Sequence, residues 1–366
     1  MKKIVCVCIC LALAGCLGKP NSSTAKQEPT QWLTFSGGNE NAKHIVLISG
    51  DQEYRSEEAL PQLAKILSQR HGFKCTVLFA QDPAEPGIIN PKENGHIPGL
   101  EALQTADLMF IFTRFTALPD EQMKHIDEYL IAGKPVVGIR TATHAFNFPE
   151  GSNSAYTHYG NGYNGEKTEW KDGFGRLVLG EKWIAHHGHH KHQSTRGVLA
   201  ENIDDKSIAN GIADGDIWGP TDVYEVRLPL PGDAQPIILG QVINRAGTYD
   251  EDDLFYGMKP TDSVLAKTND QGISVNDILM PIAWTKSYQL PGGKKGKAFT
   301  STIGAASDLL NEGTRRLLVN AVYWTLDVPV PEKADVSLVG TYQPTAYEFK
   351  TDDYWKNRKL NITDLE

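Results

Sequence analysis

The chain has 366 residues, of which 40% are hydrophobic, and a formal net charge of -9. That length and apolar content suit one large domain or about two ordinary ones. The acidic balance and the lack of an extended Lys/Arg run exclude the basic footprint that nucleic-acid binding needs.

The first segment reads as an address rather than as structure. Lys2 and Lys3 form a positive region, and Ile4–Ala14 is an apolar run too short to span a bilayer. Leu13-Ala14-Gly15-Cys16 resembles a bacterial lipobox, in which cleavage before the cysteine is followed by lipidation of its thiol. The alternative is an ordinary secretory signal with an incidental cysteine. Residue 17 is Leu and not Asp, so nothing argues for inner-membrane retention. The expected organisation is a signal peptide over 1–15, a lipidated tether over 16–40, a folded domain over 41–328 and a surface extension over 329–366. The expected location is the bacterial cell envelope, on the periplasmic or outer-membrane side, with the membrane as a partner through lipid on Cys16. Of five cysteines, Cys6, Cys8 and Cys10 leave with the signal. Cys75 then remains alone in an apolar run, so no intramolecular disulfide holds the fold.

His44–Ser49 reads as a buried strand followed by the polar loop Gly50–Arg55. Ser56 offers an N-cap, Glu57 and Glu58 suit a first helical turn, and Leu60, Leu63, Ala64, Ile66 and Leu67 recur at helical spacing up to Gly72. Phe73–Ala80 and Ala106–Phe112 read as strands, and Pro119–Gly133 as a helix with Met123, Ile126, Tyr129 and Leu130 on one face. Pro135–Ile139 is a further buried strand. Strands alternating with helices predict an α/β fold with a mostly parallel central sheet and helices on both faces. Residues 149–172 have no period, yet they carry Tyr156, His158, Tyr159, Tyr163 and Trp170 and read as a lid or pocket wall. Five of the eleven histidines then fall between His186 and His192. Later strands are expected at Thr195–Leu199, Asp222–Leu228, Pro236–Ile243, Met280–Ser287 and Ala298–Ile303, and an amphipathic helix at Asn311–Leu326.

Chemistry is expected at Lys134–Phe146 (KPVVGIRTATHAF). Arg140, Thr141, Thr143 and His144 follow a buried strand directly, where open α/β sheets place their ligands. The same rule brings Asp51, Glu53, Tyr54 and Arg55 towards Arg140 and His144. A nucleophile elbow would put Ser or Cys after Gly138-Ile139; Arg140 stands there and is never a nucleophile, so covalent acyl transfer is not expected. Arg140 suits clamping a carboxylate, phosphate or sugar oxygen; the alternative is structural pairing with Asp51 or Asp222. In an extended segment His187 and His189 share one face, as do His190 and His192, a spacing that fits zinc or another divalent metal. Sugar or anion binding, acid–base chemistry and a plain solvated loop are the alternatives.

Gly133–Phe146 resembles the central motif of the ThuA-like (trehalose-utilisation) family. Gly50–Glu58 (GDQEYRSEE), Asp216–Tyr224 (DIWGPTDVY), Pro281–Tyr288 (PIAWTKSY) and the closing segment Leu317–Trp324 (LLVNAVYW) resemble its other motifs, over residues 44–328. The resemblance implies a flavodoxin-like three-layer α/β/α sandwich of the class I glutamine amidotransferase type, with a long aromatic and His-rich insertion. It also implies loss of that superfamily's Cys nucleophile: Arg140 occupies its place, where many relatives carry His. The function implied is carbohydrate breakdown, particularly of sugars oxidised at C3. The chain then reads as a lyase, hydrolase or isomerase of 3-keto sugars or glycosides, with a small carbohydrate as substrate. His187, His144 and Asp51 are the expected acid and base groups. Arg140, Thr141, Glu53, Tyr54, Arg55, Trp170, His189, His190, Asp222 and Tyr224 are the expected binding residues. No cofactor is expected, with zinc or another divalent metal on His187 and His189 as the alternative. The competing reading is a lipid-anchored carbohydrate-binding protein without catalysis.

Overall fold

A computed structural model describes residues 29–39 and 41–366. The expected signal segment, Cys16 and the tether as far as residue 28 lie outside the described residues. The first strands follow the apolar runs closely: β1 is Trp32–Ser36, β2 His44–Gly50, β3 Lys74–Phe79, β4 Leu108–Thr113 and β5 Val136–Ile139. The later strands are β6 Gln193–Leu199, β7 Trp218–Gly219, β8 Gln235–Asn244, β9 Met280–Gln289 and β10 Lys295–Ser301. Among the described residues these make one sheet in the order β1-β3-β2-β4-β5-β10-β9-β8-β6-β7.

The sheet is mixed, which corrects the expectation of a mostly parallel one. Strands β3, β2, β4, β5 and β10 pair in parallel, whereas the other five pairings are antiparallel. The reason lies in the connections. Helices α1 (Ser56–Gln69) and α2 (Asp120–Ile131) link parallel strands, but β9 and β10 are joined by a short turn. A short connection can join only antiparallel neighbours; a parallel pair needs a crossover. Asp222–Leu228 is also not a strand. It makes a brief pairing with the histidine segment, through Glu225 N–H to Ala185 O (2.9 Å) and His187 N–H to Val223 O (2.8 Å). Its apolar spacing arises because Val223, Tyr224 and Val226 are buried.

Side-chain alternation divides the core across the parallel half. Ile45, Leu47, Val77, Phe110 and Ile139 face α1 and the last long helix, α3 (Glu312–Thr325). Val46, Ile48, Met109, Ile111 and Val136 face α2. Asn311 caps α3 by accepting from Thr314 N–H (2.8 Å). The expected cap of α1 takes another form. Arg55 occupies that position in the left-handed region (φ 61°), and the Ser56 hydroxyl instead bonds Asp51 N–H (3.0 Å) and Ser49 Oγ (2.8 Å). The carboxyl ends of β2, β4, β5 and β10 therefore open on one edge of the sheet. The strand order reverses between β2 and β4, so the crevice there is the switch point where such sheets bind ligands.

Candidate active site

Four strand ends and two later segments meet at that edge. Arg140, directly after β5, is fully buried with φ 46°. Its guanidinium donates to Asp222 O (2.9 Å), Thr302 O (2.6 Å), Tyr54 Oη (3.0 Å) and Asp222 Oδ1 (3.0 Å). It also lies 4.3 Å from the Tyr54 ring centroid and 3.9 Å from that of Tyr224. So placed, Arg140 ties β5, β10 and the Asp222 segment together and has no face left for a substrate. Asp51 is equally committed: it accepts from Glu53 N–H (2.7 Å), Tyr54 N–H and Thr141 Oγ1 (2.7 Å). Asp51, Thr141, Tyr54, Tyr224 and Arg140 are the frame of the site.

On that frame the buried Asp222 carboxylate holds two histidines. Oδ2 pairs with His186 Nδ1 at 2.7 Å, and Oδ1 with His190 Nδ1 at 3.1 Å. Burial works against the Asp222 charge, but His186 and Arg140 outweigh it and hold the carboxyl well below the usual range. The reciprocal effect appears at His186, where burial opposes the imidazolium and Asp222 more than compensates, raising its pKa. The His186 side chain is 37% exposed, and its Nε2 has no hydrogen-bond partner among the described residues. His190 Nε2 lies 3.4 Å from Glu53 Oε1, and Glu53 Oε2 lies 3.6 Å from Arg114 Nε. Burial, then the nearby Asp51 charge, pushes the Glu53 carboxyl up. Arg114 follows β4 and lies over the rings of Phe115 (4.7 Å) and Phe349 (4.8 Å).

His144 completes the group, its ring 4.9 Å from Phe115 and 5.6 Å from Trp183. Burial, then the Arg114 and Arg140 charges, holds its pKa well below the ordinary imidazole value, so His144 is neutral. Its Nδ1 meets Thr143 Oγ1 at 3.1 Å. Trp183 is half-buried and 5.8 Å from the His186 ring, a flat surface beside a titratable group.

Several expected residues are elsewhere. The histidine segment is turned rather than extended, with Lys191 at φ 63°, so His187 and His189 do not form a ligand pair. His187 Nε2 bonds Val275 O (3.0 Å), and His189 stacks on His192 at 4.1 Å. Arg55 turns away to Thr345 Oγ1 (3.1 Å) and Glu348 O (2.8 Å), anchoring the C-terminal segment. That segment returns Tyr347, which stacks on Tyr54 at 5.3 Å and meets the His190 ring at 5.4 Å. Trp170 belongs to another cluster, with His158 at 4.5 Å and Tyr159 at 4.4 Å. The 149–172 loop packs on α2, where Tyr159 Oη donates to Asp127 Oδ1 (2.6 Å), and walls a cavity of about 380 Å³ there. His186, Arg114 and Trp183 were not singled out from the sequence. Of the two rings beneath the Arg114 guanidinium, Phe115 is its neighbour in sequence and Phe349 comes from a distant segment.

A metal would find its ligands in a different set from the expected pair. His186, His190 and Asp222 offer atoms within 4.8 Å of one another. Both Asp222 oxygens already accept hydrogen bonds, however, and the Arg140 guanidinium already neutralises its charge. Adding a dication beside Arg140 and Arg114 is electrostatically unfavourable, so the donor set suits proton transfer better. A cavity of about 760 Å³ lies at the opposite end, where Lys43, Lys134 and Lys297 are already held by Asp107, by backbone carbonyls and by Asp327.

No protein-family model and no curated protein matches the chain. Among solved structures, a protein of Bacteroides uniformis named as thua-like aligns at 15% identity and a TM-score of 0.44, covering 78% of this chain and 93% of that one. Another thua-like protein, of Parabacteroides merdae, aligns at 14% identity and a TM-score of 0.41, covering 84% of this chain and 98% of that one. Likenesses this distant do not carry an argument about function.

Proposed function

We propose that the chain is an acid–base enzyme of ThuA-like, flavodoxin-like descent acting on sugars or glycosides oxidised at C3. We place it at a bacterial envelope, held by lipid on Cys16. The observation that carries this reading is the buried Asp222 holding His186 by Nδ1, with Nε2 unpartnered among the described residues and the ring part-exposed. An anchored imidazole has a fixed tautomer and orientation, as a general base needs. The C3 ketone acidifies the proton on C2. His186 Nε2 removes that proton, and the electron pair forms an enolate whose charge falls beside Arg114 and His190. In a glycoside the pair then expels the C1 substituent, and the departing oxygen takes a proton from Glu53, whose raised pKa favours the acid form. Trp183 supplies a ring face for the sugar.

The test is to incubate the purified chain with a 3-keto glucoside in deuterated buffer and follow the sugar by NMR. Exchange at C2 with release of the aglycone supports the enzyme. Binding with neither exchange nor turnover supports the sugar-binding lipoprotein and sinks the proposal.

A further inference from the structure

Beyond β5, the chain from Asn147 to Tyr163 folds round a cavity of about 270 Å³ that no residue of the acid–base cluster lines. Its wall carries no charged side chain. Phe148 and Tyr163 contribute two half-buried rings, and Asn147, Ser152, Thr157 and Asn161 contribute amides and hydroxyls. Most of this wall belongs to the 149–172 loop, which the acid–base chemistry leaves without a role.

The backbone of this wall is held, while several of its side chains are free. Asn147 N–H donates to Thr116 O (2.9 Å), Asn161 N–H to Phe146 O (2.8 Å) and Tyr163 N–H to Gly160 O (3.0 Å). Two side chains are fixed as well: Ser152 Oγ accepts from Ser154 N–H (3.3 Å), and Tyr163 Oη accepts from Lys167 N–H (3.2 Å). By contrast, the amides of Asn147 and Asn161 and the Thr157 hydroxyl bond nothing among the described residues. Asn161 Oδ1 is buried in that state, which costs free energy unless a donor reaches it. Asn161 Nδ2 is equally uncommitted among the described residues, so the amide can turn and present either end.

We infer that this cavity binds one neutral sugar unit, at a site separate from the acid–base cluster. Each amide offers a donor and an acceptor side by side, which is what two neighbouring hydroxyls of a pyranose require. The Phe148 and Tyr163 rings offer apolar faces to the C–H surface of the sugar. The volume is at the small end for ligand pockets and suits a single ring rather than a chain. An anionic sugar would bring its charge to a wall with no cation and give up water without gaining a partner. The site needs none of the proton transfer proposed above and holds whether or not the bound sugar reacts.

The test labels the full chain with 4-fluorophenylalanine and follows it by ¹⁹F NMR, the Phe148 signal being assigned through Phe148→Leu. The probes are the methyl β-D-pyranosides of glucose, galactose and mannose, and the corresponding uronides. At least one neutral glycoside is expected to shift the Phe148 signal saturably, with Kd on the order of 1 mM. Its uronide is expected to bind about tenfold weaker. Asn161→Ala should weaken the neutral glycoside about tenfold and leave Tm unchanged or raised, because the acceptor it removes had no partner among the described residues. Thr157→Val, which keeps the side-chain shape, should weaken binding too. No saturable Phe148 shift from any of the three neutral glycosides, equal affinity for a glycoside and its uronide, or unchanged affinity in both variants overturns the inference. Phe115 and Phe349 report the acid–base cluster in the same spectra. A Phe148 titration that persists where a 3-keto glucoside shows no C2 exchange removes the acid–base reading and keeps this site; C2 exchange with a silent Phe148 signal does the reverse.

Discussion

Replacing Arg140 by methionine decides whether this residue holds the site together or binds substrate. The guanidinium makes four hydrogen bonds to two backbone carbonyls, a tyrosine hydroxyl and a carboxylate, and both Arg140 and Asp222 are buried. Methionine keeps much of the volume but takes the fully buried guanidinium away from the Asp222 carboxylate. Breaking a buried pair in this way costs about 3–5 kcal/mol. With an unfolding entropy of roughly 2 cal/mol/K per residue, a chain of this size should lose roughly 4–7 °C in Tm. Thermal unfolding followed by circular dichroism measures it. Arg140→Met combined with Asp222→Leu should recover much of the loss, because no uncompensated charge remains. If Arg140→Met melts within a degree of the parent and only weakens substrate binding, Arg140 is a substrate clamp and the frame described above is wrong.

Three further outcomes follow from the same geometry. Glu57 is buried with neither carboxylate oxygen hydrogen-bonded, and burial pushes its pKa up to about 8. Between its unfolded pKa and that value the folded state holds a proton that the unfolded state releases, so stability falls as pH rises through this window. Glu57→Gln should therefore gain on the order of 1–3 kcal/mol at about pH 8 and little at about pH 4, measured by urea unfolding; a pH-independent difference would refute it. At His186 the sign is that of a raised histidine: its stabilisation is complete below the unfolded pKa and is lost as pH rises through the folded pKa. Asp222→Asn should lower the NMR titration midpoint of His186, and an unmoved midpoint would contradict the pairing. Dialysis against a chelator should leave C2 exchange intact, and zinc should not raise Tm; activity lost to chelator and restored by zinc would make His186, His190 and Asp222 ligands after all.

The parallel half of the fold was legible because its signals are local. The apolar runs of β2, β4 and β5 and the helical spacing of α1 and α3 are each contained in one segment. The edge strand β1 was not, since Trp32–Ser36 buries only Leu33 and follows a polar stretch. Of the residues the strand-end rule draws towards Arg140 and His144, Asp51, Glu53 and Tyr54 lie there and Arg55 does not, and the rule cannot tell a framing residue from a reacting one. That difference rests on partners distant in sequence: Asp222, Thr302 and Tyr54 occupy both terminal nitrogens of Arg140, while His186 Nε2 has no partner among the described residues. A shared face for His187 and His189 requires an extended backbone; the turned segment instead puts His186 and His190, four apart, on the same carboxylate. Trp170 and Trp183 look alike in sequence, and only packing separates the core ring from the half-exposed one.

The most direct test compares exchange of the C2 proton of a 3-keto glucoside in deuterated buffer for the parent, His186→Gln, His187→Gln and His158→Gln. Loss of a positioned general base typically costs about 10²–10⁴-fold. The account predicts a loss of that order for His186→Gln and none for His158→Gln, which lies in the separate aromatic cluster. Exchange that survives His186→Gln and disappears in His187→Gln would contradict it.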